Sequence, residues 1–354
     1  MKIIHAADIH LGSKMDSSFT NEKAKDLKST ILSTFVRMIE YAHEENVKII
    51  ILAGDIFDSN YPSQKDKRLF YEIVKRNADI DFLYLKGNHD INSIYDEKEL
   101  DNLKCFSNEW TTYDYDNISI SGIELSEENS LTRYSSLSLD KNKINIVVMH
   151  GQVANGFQKD VINISKLRDK NIDYLALGHV HKYQSGKIDN RGKYAYSGCL
   201  QGRGFDEIGE HGFILLQIDD KIQEKFIPFT KNIINEFEID ISNTQSIMDV
   251  YNLIIQSVDI NADGIYRINL IGQKSFDDDN LENDIKNILS YRCYFVDIKD
   301  KTSRKIDIDK YLYDSSLKGE FVKMVYNDSN LSDEEKNKII NLGIRALEDK
   351  EIDL

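Results

Sequence analysis

Short apolar runs in the first half of the chain are followed within three residues by aspartate or asparagine, and this pattern constrains the fold most strongly. Such runs occupy 2–6, 47–52 and 82–85. The run at 47–52 is continuous and β-branched, as expected of a strand that is buried on both faces. Amphipathic helices are predicted at 21–46 and 63–78, so strands and helices alternate. This alternation predicts a layered α/β fold with its functional site at the carboxyl ends of the strands.

Five polar blocks follow these strands and the later strand candidates. They are ADIH (Asp8, His10), GDIFD (Asp55, Asp58), GNHD (Asn88, His89, Asp90), MHG (His150) and GHVH (His179, His181). One such block alone is usually a turn or a cap. Five blocks at successive strand ends instead indicate one shared site. Nitrogen and oxygen ligands without a thiolate fit manganese, iron or zinc in an open catalytic centre. Two ions need a bridging carboxylate, for which Asp55 is the candidate.

Composition narrows the class of protein. The formal net charge of −15 argues against a passive nucleic-acid-binding protein, but an enzyme can attract phosphate through bound cations. The three cysteines form no CxxC pair, so neither a disulfide framework nor a zinc ribbon is predicted. The N-terminus lacks the features of a signal peptide, and no run approaches the ~20 apolar residues of a membrane helix. We therefore expect a cytoplasmic protein without membrane association.

The pattern changes near residue 232, which predicts a domain boundary. Beyond it the sequence predicts strands at 236–241, 265–271 and 293–298, and helices at 245–257, 279–290, 308–326 and 332–348. Ser332 and Glu335 have the spacing of a capping box at the start of the last helix. The resulting domain prediction has three segments: 1–231 with the site, a small α+β segment at 232–301, and a helical segment at 302–354.

The five blocks, in this order, resemble the calcineurin-like metallophosphoesterase superfamily (D-x-H, G-D-x-x-D, G-N-H-D, a later H, then G-H-x-H). The resemblance implies a two-sheet α/β sandwich flanked by helices, with a small α+β capping domain and C-terminal helices. It also implies two metal ions. One would be held by Asp8, His10, Asp55 and His181, and the other by Asp55, Asn88, His150 and His179. His89 would protonate the leaving oxygen, and Asp90 would position His89. The two histidines of GHVH would thus serve different ions.

The sequence around the blocks is similar to the SbcD-type DNA repair exonucleases. The similar segments are MKIIHAADIHLGSK, AGDIFDSNYPS and LKGNHD, while YLALGHVHKYQ and QGRGFDEIGEHGF resemble the YhaO-like branch. This likeness implies a Mn²⁺-dependent DNA exonuclease, with endonuclease activity left open, that forms a homodimer and works with an SbcC-like coiled-coil ATPase. Segment 232–301 would select DNA, and 302–354 would bind the ATPase. Asp58 stands where archaeal and eukaryotic relatives have histidine, so the phosphate-orienting role of that histidine is not carried over.

Three basic residues near the blocks are candidates for contact with a DNA backbone. They are Arg203, which lies between two glycines in QGRGF, and the lysines Lys14 and Lys182. Two other functions stay open at this point. One is a phosphodiesterase or phosphatase that acts on a nucleotide or other small phosphoester, which the long region after GHVH disfavours. The other is a non-catalytic scaffold with a vestigial site, which the complete ligand set disfavours.

Overall fold

The predicted strands of the first half lie at the centre of two sheets. The computed structural model describes residues 1–59, 61–90, 100–276, 278, 280–304, 310–311 and 313–347. The chain divides into two units, Met1–Ile234 and Asn235–Leu354. The strands of the first unit are β1 (Lys2–Ala6), β2 (Ile49–Ala53), β3 (Asp81–Leu85), β4 (Leu103–Cys105), β5 (Thr111–Tyr115), β6 (Ile118–Gly122), β7 (Ile144–His150), β8 (Gln152–Val153), β9 (Val161–Ile162), β10 (Tyr174–Gly178), β11 (Gln184–Lys187), β12 (Lys193–Tyr196), β13 (Gly212–Ile218) and β14 (Ile222–Pro228). Its helices are α1 (Asn21–Glu44), α2 (Gln64–Arg76) and α3 (Arg133–Ser136), with a 3₁₀ turn at Ile164–Lys166.

Within the described residues each main sheet has six strands, in the orders β14-β13-β1-β2-β3-β4 and β11-β12-β10-β7-β6-β5. Strands β1, β2 and β3 are parallel to one another, as are β6, β7 and β10. The side chains of β2 show the layering. Ile49 and Ile51 pack in the cluster that both sheets share, whereas Ile50 and Leu52 pack with α1 and α2. The predicted two-sheet α/β sandwich with flanking helices is confirmed.

The two long helices of this unit begin at side-chain caps. Thr20 accepts a hydrogen bond from the amide of Lys23 at the start of α1, and Ser63 accepts one from Asp66 at the start of α2. Each cap satisfies a backbone donor that the first helical turn leaves free. The apolar side of α1 contributes Ile31 to the core against the first sheet. The helices thus fix the outer face of the sheet whose carboxyl end carries Asp8 and Asp55.

The second unit contains a smaller sheet and two terminal helices. Its elements are β15 (Ile234–Asp240, which starts on the last residue of the first unit), α4 (Ile247–Ser257), β16 (Ile265–Ile271), β17 (Gln273–Lys274), α5 (Leu281–Leu289), β18 (Phe295–Asp300), β19 (Ser303–Arg304), α6 (Leu317–Tyr326) and α7 (Asp333–Leu347). The strand order is β15-β16-β18, and α4 and α5 share its hydrophobic cluster through Ile254 and Ile285. A separate cluster, including Val322 and Ile340, joins α6 to α7.

The helix predicted at 308–326 is interrupted: residues 310–311 are helical, residues 313–316 are not, and α6 begins at Leu317. Residues 305–309 and 312 lie outside the described part of the chain. Ser316 caps α6 by accepting from the amide of Gly319, and Asp314 accepts from the amide of Ser316. Short polar side chains bond nearby backbone in this way and favour turns over helix interiors. The predicted capping box of α7 is confirmed, because the Glu335 amide bonds Ser332 Oγ at 3.3 Å and the Ser332 amide bonds Glu335 Oε2 at 2.8 Å.

None of the helices formed by the described residues combines the length and apolar character that a transmembrane segment requires.

Candidate metal centre

The carboxyl ends of the central strands meet at one end of the sandwich. Since β1, β2 and β3 are parallel, the residues after them share one edge of the first sheet. The ends of β7 and β10 share an edge of the second sheet. Two hydrogen bonds join these edges, from His150 Nδ1 to the Ala53 carbonyl at 2.9 Å and from the His179 amide to Asp8 Oδ2 at 3.0 Å. The fold therefore brings the polar blocks of both sheets together.

Among the described residues, Asp8, His10 and His181 form the first of two groups that could hold a metal ion, called here the first and second ligand groups, with candidate ligand atoms within 4.8 Å of one another. The two Nε2 atoms face each other at 3.2 Å. His181 Nδ1 donates to Glu207 Oε1 at 2.7 Å, and His10 Nδ1 lies 3.1 Å from Asp58 Oδ1. Glu207 assigns the ring proton of His181 to Nδ1, so the Nε2 lone pair of His181 points towards His10, as it would towards a cation bound between the two rings. A separation of 3.2 Å suits two nitrogens that are each about 2.1 Å from one ion.

Asp8, Asp55 and His150 form the second ligand group. His150 Nδ1 donates to a backbone carbonyl, which leaves Nε2 as the nitrogen that could bind a metal ion; this Nε2 is buried and has no hydrogen-bond partner among the described residues. It lies 3.4 Å from Asp55 Oδ2. Burial lowers the pKa of His150, but the Asp55 carboxylate outweighs burial and raises this pKa to about 9. The pocket thus attracts positive charge, and its nitrogen and carboxylate donors fit a divalent metal ion.

The groups defined by distance share a different aspartate from the one predicted, and neither of them includes His179. Asp8 belongs to both groups, whereas Asp55, the predicted bridge, belongs to the second only. His179 lies beside the second group, with its ring 5.4 Å from the ring of His150. Asn88 lies in the exposed turn after β3. The assignment of His179 and Asn88 to the second ion stays a prediction.

His89 occupies the same turn as Asn88 and is exposed. Its amide donates to Asp55 Oδ1 at 2.9 Å, and its ring lies 5.7 Å from the ring of His10. The imidazole is therefore held at the entrance of the site by its own backbone. This position suits a proton donor to a group that is bound over the two ligand groups.

Asp90 is buried and connects two loops through their backbone. Its carboxylate accepts from the amides of Ile56, Phe57 and Gly87 at 3.1, 2.9 and 3.1 Å. Burial, and then the charge of Asp55, raises the pKa of Asp90 to about 6. These bonds fix the loop after β2 against the loop after β3, so the influence of Asp90 on His89 runs through the loop backbone.

Several site residues have strained backbone. Asp8, His10, Asp55 and His179 have φ of 50°, 53°, 53° and 105°. The other described non-glycine residues with positive φ are all asparagine or aspartate: Asn46, Asp116, Asp169 and Asn171. Asparagine, aspartate and histidine adopt the left-handed region more readily than other non-glycine residues, so the unusual case is His179, whose φ of 105° lies beyond that region. Such strain concentrates at functional sites, and the sequence pattern does not predict it.

The three predicted substrate contacts differ in their surroundings. Lys14 and Lys182 are exposed. Arg203 is mostly buried and forms ion pairs with Asp58 and Glu207. Glu207, which is buried against His181, was not predicted from sequence. Its position four residues after Arg203 gave no signal, because opposite charges pair at that spacing on helices and residues 203–207 are not helical.

A Gly87→Ala substitution is expected to disrupt the site from the backbone side. A Cβ at Gly87 would lie 2.2 Å from Asp55 Oδ1 and 2.4 Å from the Asp55 amide, so Asp55 must move. Crowding of this kind costs about 1–3 kcal/mol of unfolding free energy. We expect weaker Mn²⁺ binding in a titration and a lower midpoint in urea. Gly209→Ala is the control for Mn²⁺ affinity alone, since a Cβ there has no neighbour within 4 Å but its φ of +102° strains an alanine. Equal Mn²⁺ affinities in the two variants would contradict the expected displacement of Asp55.

Comparison with known proteins gives a family, one relative named as a nuclease subunit and one named as a DNA repair protein. The profile of the calcineurin-like phosphoesterases matches residues 1–183. The chain is 27% identical over 271 residues to the D subunit of nuclease SbcCD from Staphylococcus epidermidis, covering 64% of this chain and 69% of that one. It is 26% identical over 381 residues to the DNA double-strand break repair protein Mre11 of Sulfurisphaera tokodaii, covering 98% and 93%. Among solved structures, a dimetal phosphatase from Danio rerio aligns with 63% of this chain and 98% of its own, at 12% identity and a TM-score of 0.38.

Proposed function

Because this chain belongs to the calcineurin-like phosphoesterase family, we propose that it is a two-metal, Mn²⁺-dependent nuclease that hydrolyses phosphodiester bonds in DNA. The observation that carries the proposal is the pair of ligand groups at the strand ends, with Asp8 shared between them. The names of the two relatives, one a component of a nuclease and the other a double-strand break repair protein, favour DNA as the substrate.

The donor set supports two divalent ions. Asp8, His10 and His181 would hold the first, and Asp55 and His150 would hold the second. Asn88 and His179 would complete the second set, and Asp55 would bridge. When bound, two such ions supply Lewis-acid stabilisation of the phosphoryl oxygens and a nucleophile derived from water at neutral pH. Nitrogen and oxygen ligands suit Mn²⁺, which is our choice among the metals that this set accepts.

The remaining chemistry falls to residues of the loop after β3. His89, exposed at the entrance, would donate a proton to the leaving oxygen of the cleaved bond. Asp90 would keep His89 in place by its three bonds to the amides of the two ligand loops. Lys14 and Lys182, both exposed, would contact the phosphates of the DNA backbone.

We propose further that the protein acts as a homodimer with an SbcC-like coiled-coil ATPase. The name of the staphylococcal relative, which makes it one component of the SbcCD nuclease, supports a partner. The match to the Sulfurisphaera protein extends over 98% of this chain and so includes the second unit. In this proposal 232–301 selects the DNA end, and 302–354, with α6 and α7, binds the ATPase.

Purified protein is expected to degrade linear duplex and hairpin DNA in the presence of Mn²⁺. Cleavage should stop when EDTA removes the metal. Gel assays of end-labelled DNA measure this, and fresh Mn²⁺ in excess of EDTA should restore cleavage. Turnover of bis-p-nitrophenyl phosphate with intact DNA would favour an enzyme for small phosphoesters. Two bound ions without hydrolysis of either substrate would favour a scaffold.

A further inference from the structure

Arg203 lies at the centre of a charged network beside the first ligand group. Its Nη1 contacts Asp58 Oδ1 at 2.8 Å, and its Nε donates to Glu207 Oε1 at 3.0 Å. Nη2 also binds Glu207, and the Arg203 amide donates to Glu207 Oε2 at 2.7 Å. Only 17% of the Arg203 side chain is exposed. The guanidinium therefore bridges two carboxylates that come from distant parts of the chain.

Each of these carboxylates lies against a ligand histidine on the side away from the ion position. Glu207 Oε1 accepts from His181 Nδ1 at 2.7 Å, and Asp58 Oδ1 lies 3.1 Å from His10 Nδ1. A carboxylate in this position fixes the orientation of the imidazole and makes its other nitrogen a stronger ligand. Because Arg203 binds both carboxylates, it fixes the two histidines relative to each other.

In the second ligand group, the hydrogen-bond acceptor behind the histidine, His150, is weaker. His150 Nδ1 donates to the neutral backbone carbonyl of Ala53, at 2.9 Å. A neutral acceptor polarises the imidazole less than a carboxylate does. Among the described candidate ligands, His10 and His181 thus have carboxylates behind them, whereas His150 has a neutral acceptor.

We propose that Arg203, Asp58 and Glu207 form a positioning bridge that gives the Asp8–His10–His181 site a higher metal affinity than the Asp55–His150 site. The proposal rests on the two-metal function proposed above. It assigns Arg203 a different role from the phosphate contact predicted from sequence. To bind a phosphate instead, the guanidinium would have to leave two carboxylates, one of them buried, and breaking a buried ion pair is strongly unfavourable.

The test is a Mn²⁺ titration without DNA, in which electron paramagnetic resonance measures free Mn²⁺. The native protein should bind two ions with separable affinities. In Arg203→Ala the tighter class should weaken about 10–100-fold, as expected for loss of support behind a ligand. The weaker class should change little. Arg203→Lys should not restore the tighter class, because one ammonium cannot replace a guanidinium that binds two carboxylates.

Arg191→Ala is the matched control. Arg191 pairs with Asp173 at 2.8 Å and bonds the carbonyls of Lys141 and Lys143, away from both ligand groups. It should leave both affinity classes unchanged. Glu207→Gln keeps the side-chain shape and serves if Arg203→Ala does not fold; it should weaken the same class.

Two results would overturn the proposal. Equal weakening of both classes would reduce Arg203 to a general structural role. Unchanged Mn²⁺ affinities together with a raised KM for DNA would show that Arg203 contacts the substrate instead. Because the titration contains no DNA, it tests the positioning bridge separately from the nuclease function. If the protein cleaves no DNA but Arg203→Ala still loses one affinity class selectively, the bridge is supported and the nuclease function is contradicted.

Discussion

An Asp55→Asn variant is expected to lose about 10³-fold or more of its hydrolytic rate and to bind Mn²⁺ more weakly. Asp55 is buried, and its Oδ2 lies 3.4 Å from His150 Nε2. Burial raises the pKa of Asp55. The neighbouring His150 imidazole lowers this pKa by a larger amount, so the Asp55 side chain is a carboxylate. The amide keeps the shape but removes the negative charge. Bound metal supplies several kcal/mol of transition-state stabilisation, and each 1.4 kcal/mol is tenfold in rate.

Initial rates on linear duplex DNA and a Mn²⁺ titration measure the two effects. Asp81→Asn is the matched control, because Asp81 starts β3 and so lies at the opposite edge of the same sheet. There it pairs with Lys104 and accepts from the hydroxyl of Tyr115. The control should keep its Mn²⁺ affinity and its rate. Full activity in Asp55→Asn would contradict the proposed ligand role.

A His89→Asn variant is expected to cleave DNA about 10²–10⁴-fold more slowly while it retains both metal ions. The magnitude is that of a lost general acid. Metal binding should survive because the His89 side chain is exposed, and its bond to Asp55 Oδ1 comes from the backbone amide. Single-turnover rates and a Mn²⁺ titration on the same preparation separate the two properties.

The leaving group provides a sharper test of proton donation by His89. A nucleotide ester of p-nitrophenol needs little protonation of its leaving oxygen, so the defect of His89→Asn should shrink greatly on that substrate. His43→Asn is the control, since His43 is a surface residue that bonds Asn77 at 2.8 Å. An equal defect on both substrates would show that His89 does not protonate the leaving group, and lost Mn²⁺ would make it a ligand.

The centre of the fold could be predicted from sequence because burial on both faces leaves a strong pattern. The run IIILA of β2 contains only apolar residues, as two packed faces require. Strand β5, TTYDY, was missed because it is the edge strand of its sheet and alternates between half-buried and exposed positions. Polar residues are tolerated there, so its sequence resembles that of a loop.

The gathering of the polar blocks could also be predicted, since parallel strands place their carboxyl ends at one edge. The residues that support the ligand histidines from behind could not be predicted. Glu207 is one of 60 acidic residues, and its burial against His181 depends on the path of the loop after β12. Arg203 was predicted from its flanking glycines to reach a phosphate, whereas its contacts in the fold are with Asp58 and Glu207.

The left-handed backbone at Asp8, His10, Asp55 and His179 has a consequence for the life of the protein in a cell. Each such residue costs about 1–3 kcal/mol, against a typical net stability of about 5–15 kcal/mol. Two carboxylates also lie together in the second ligand group and repel each other without a cation. A ligand that binds only the folded state offsets such costs by mass action. The concentration of available metal would then determine the resistance of the protein to proteolysis as well as its catalytic rate.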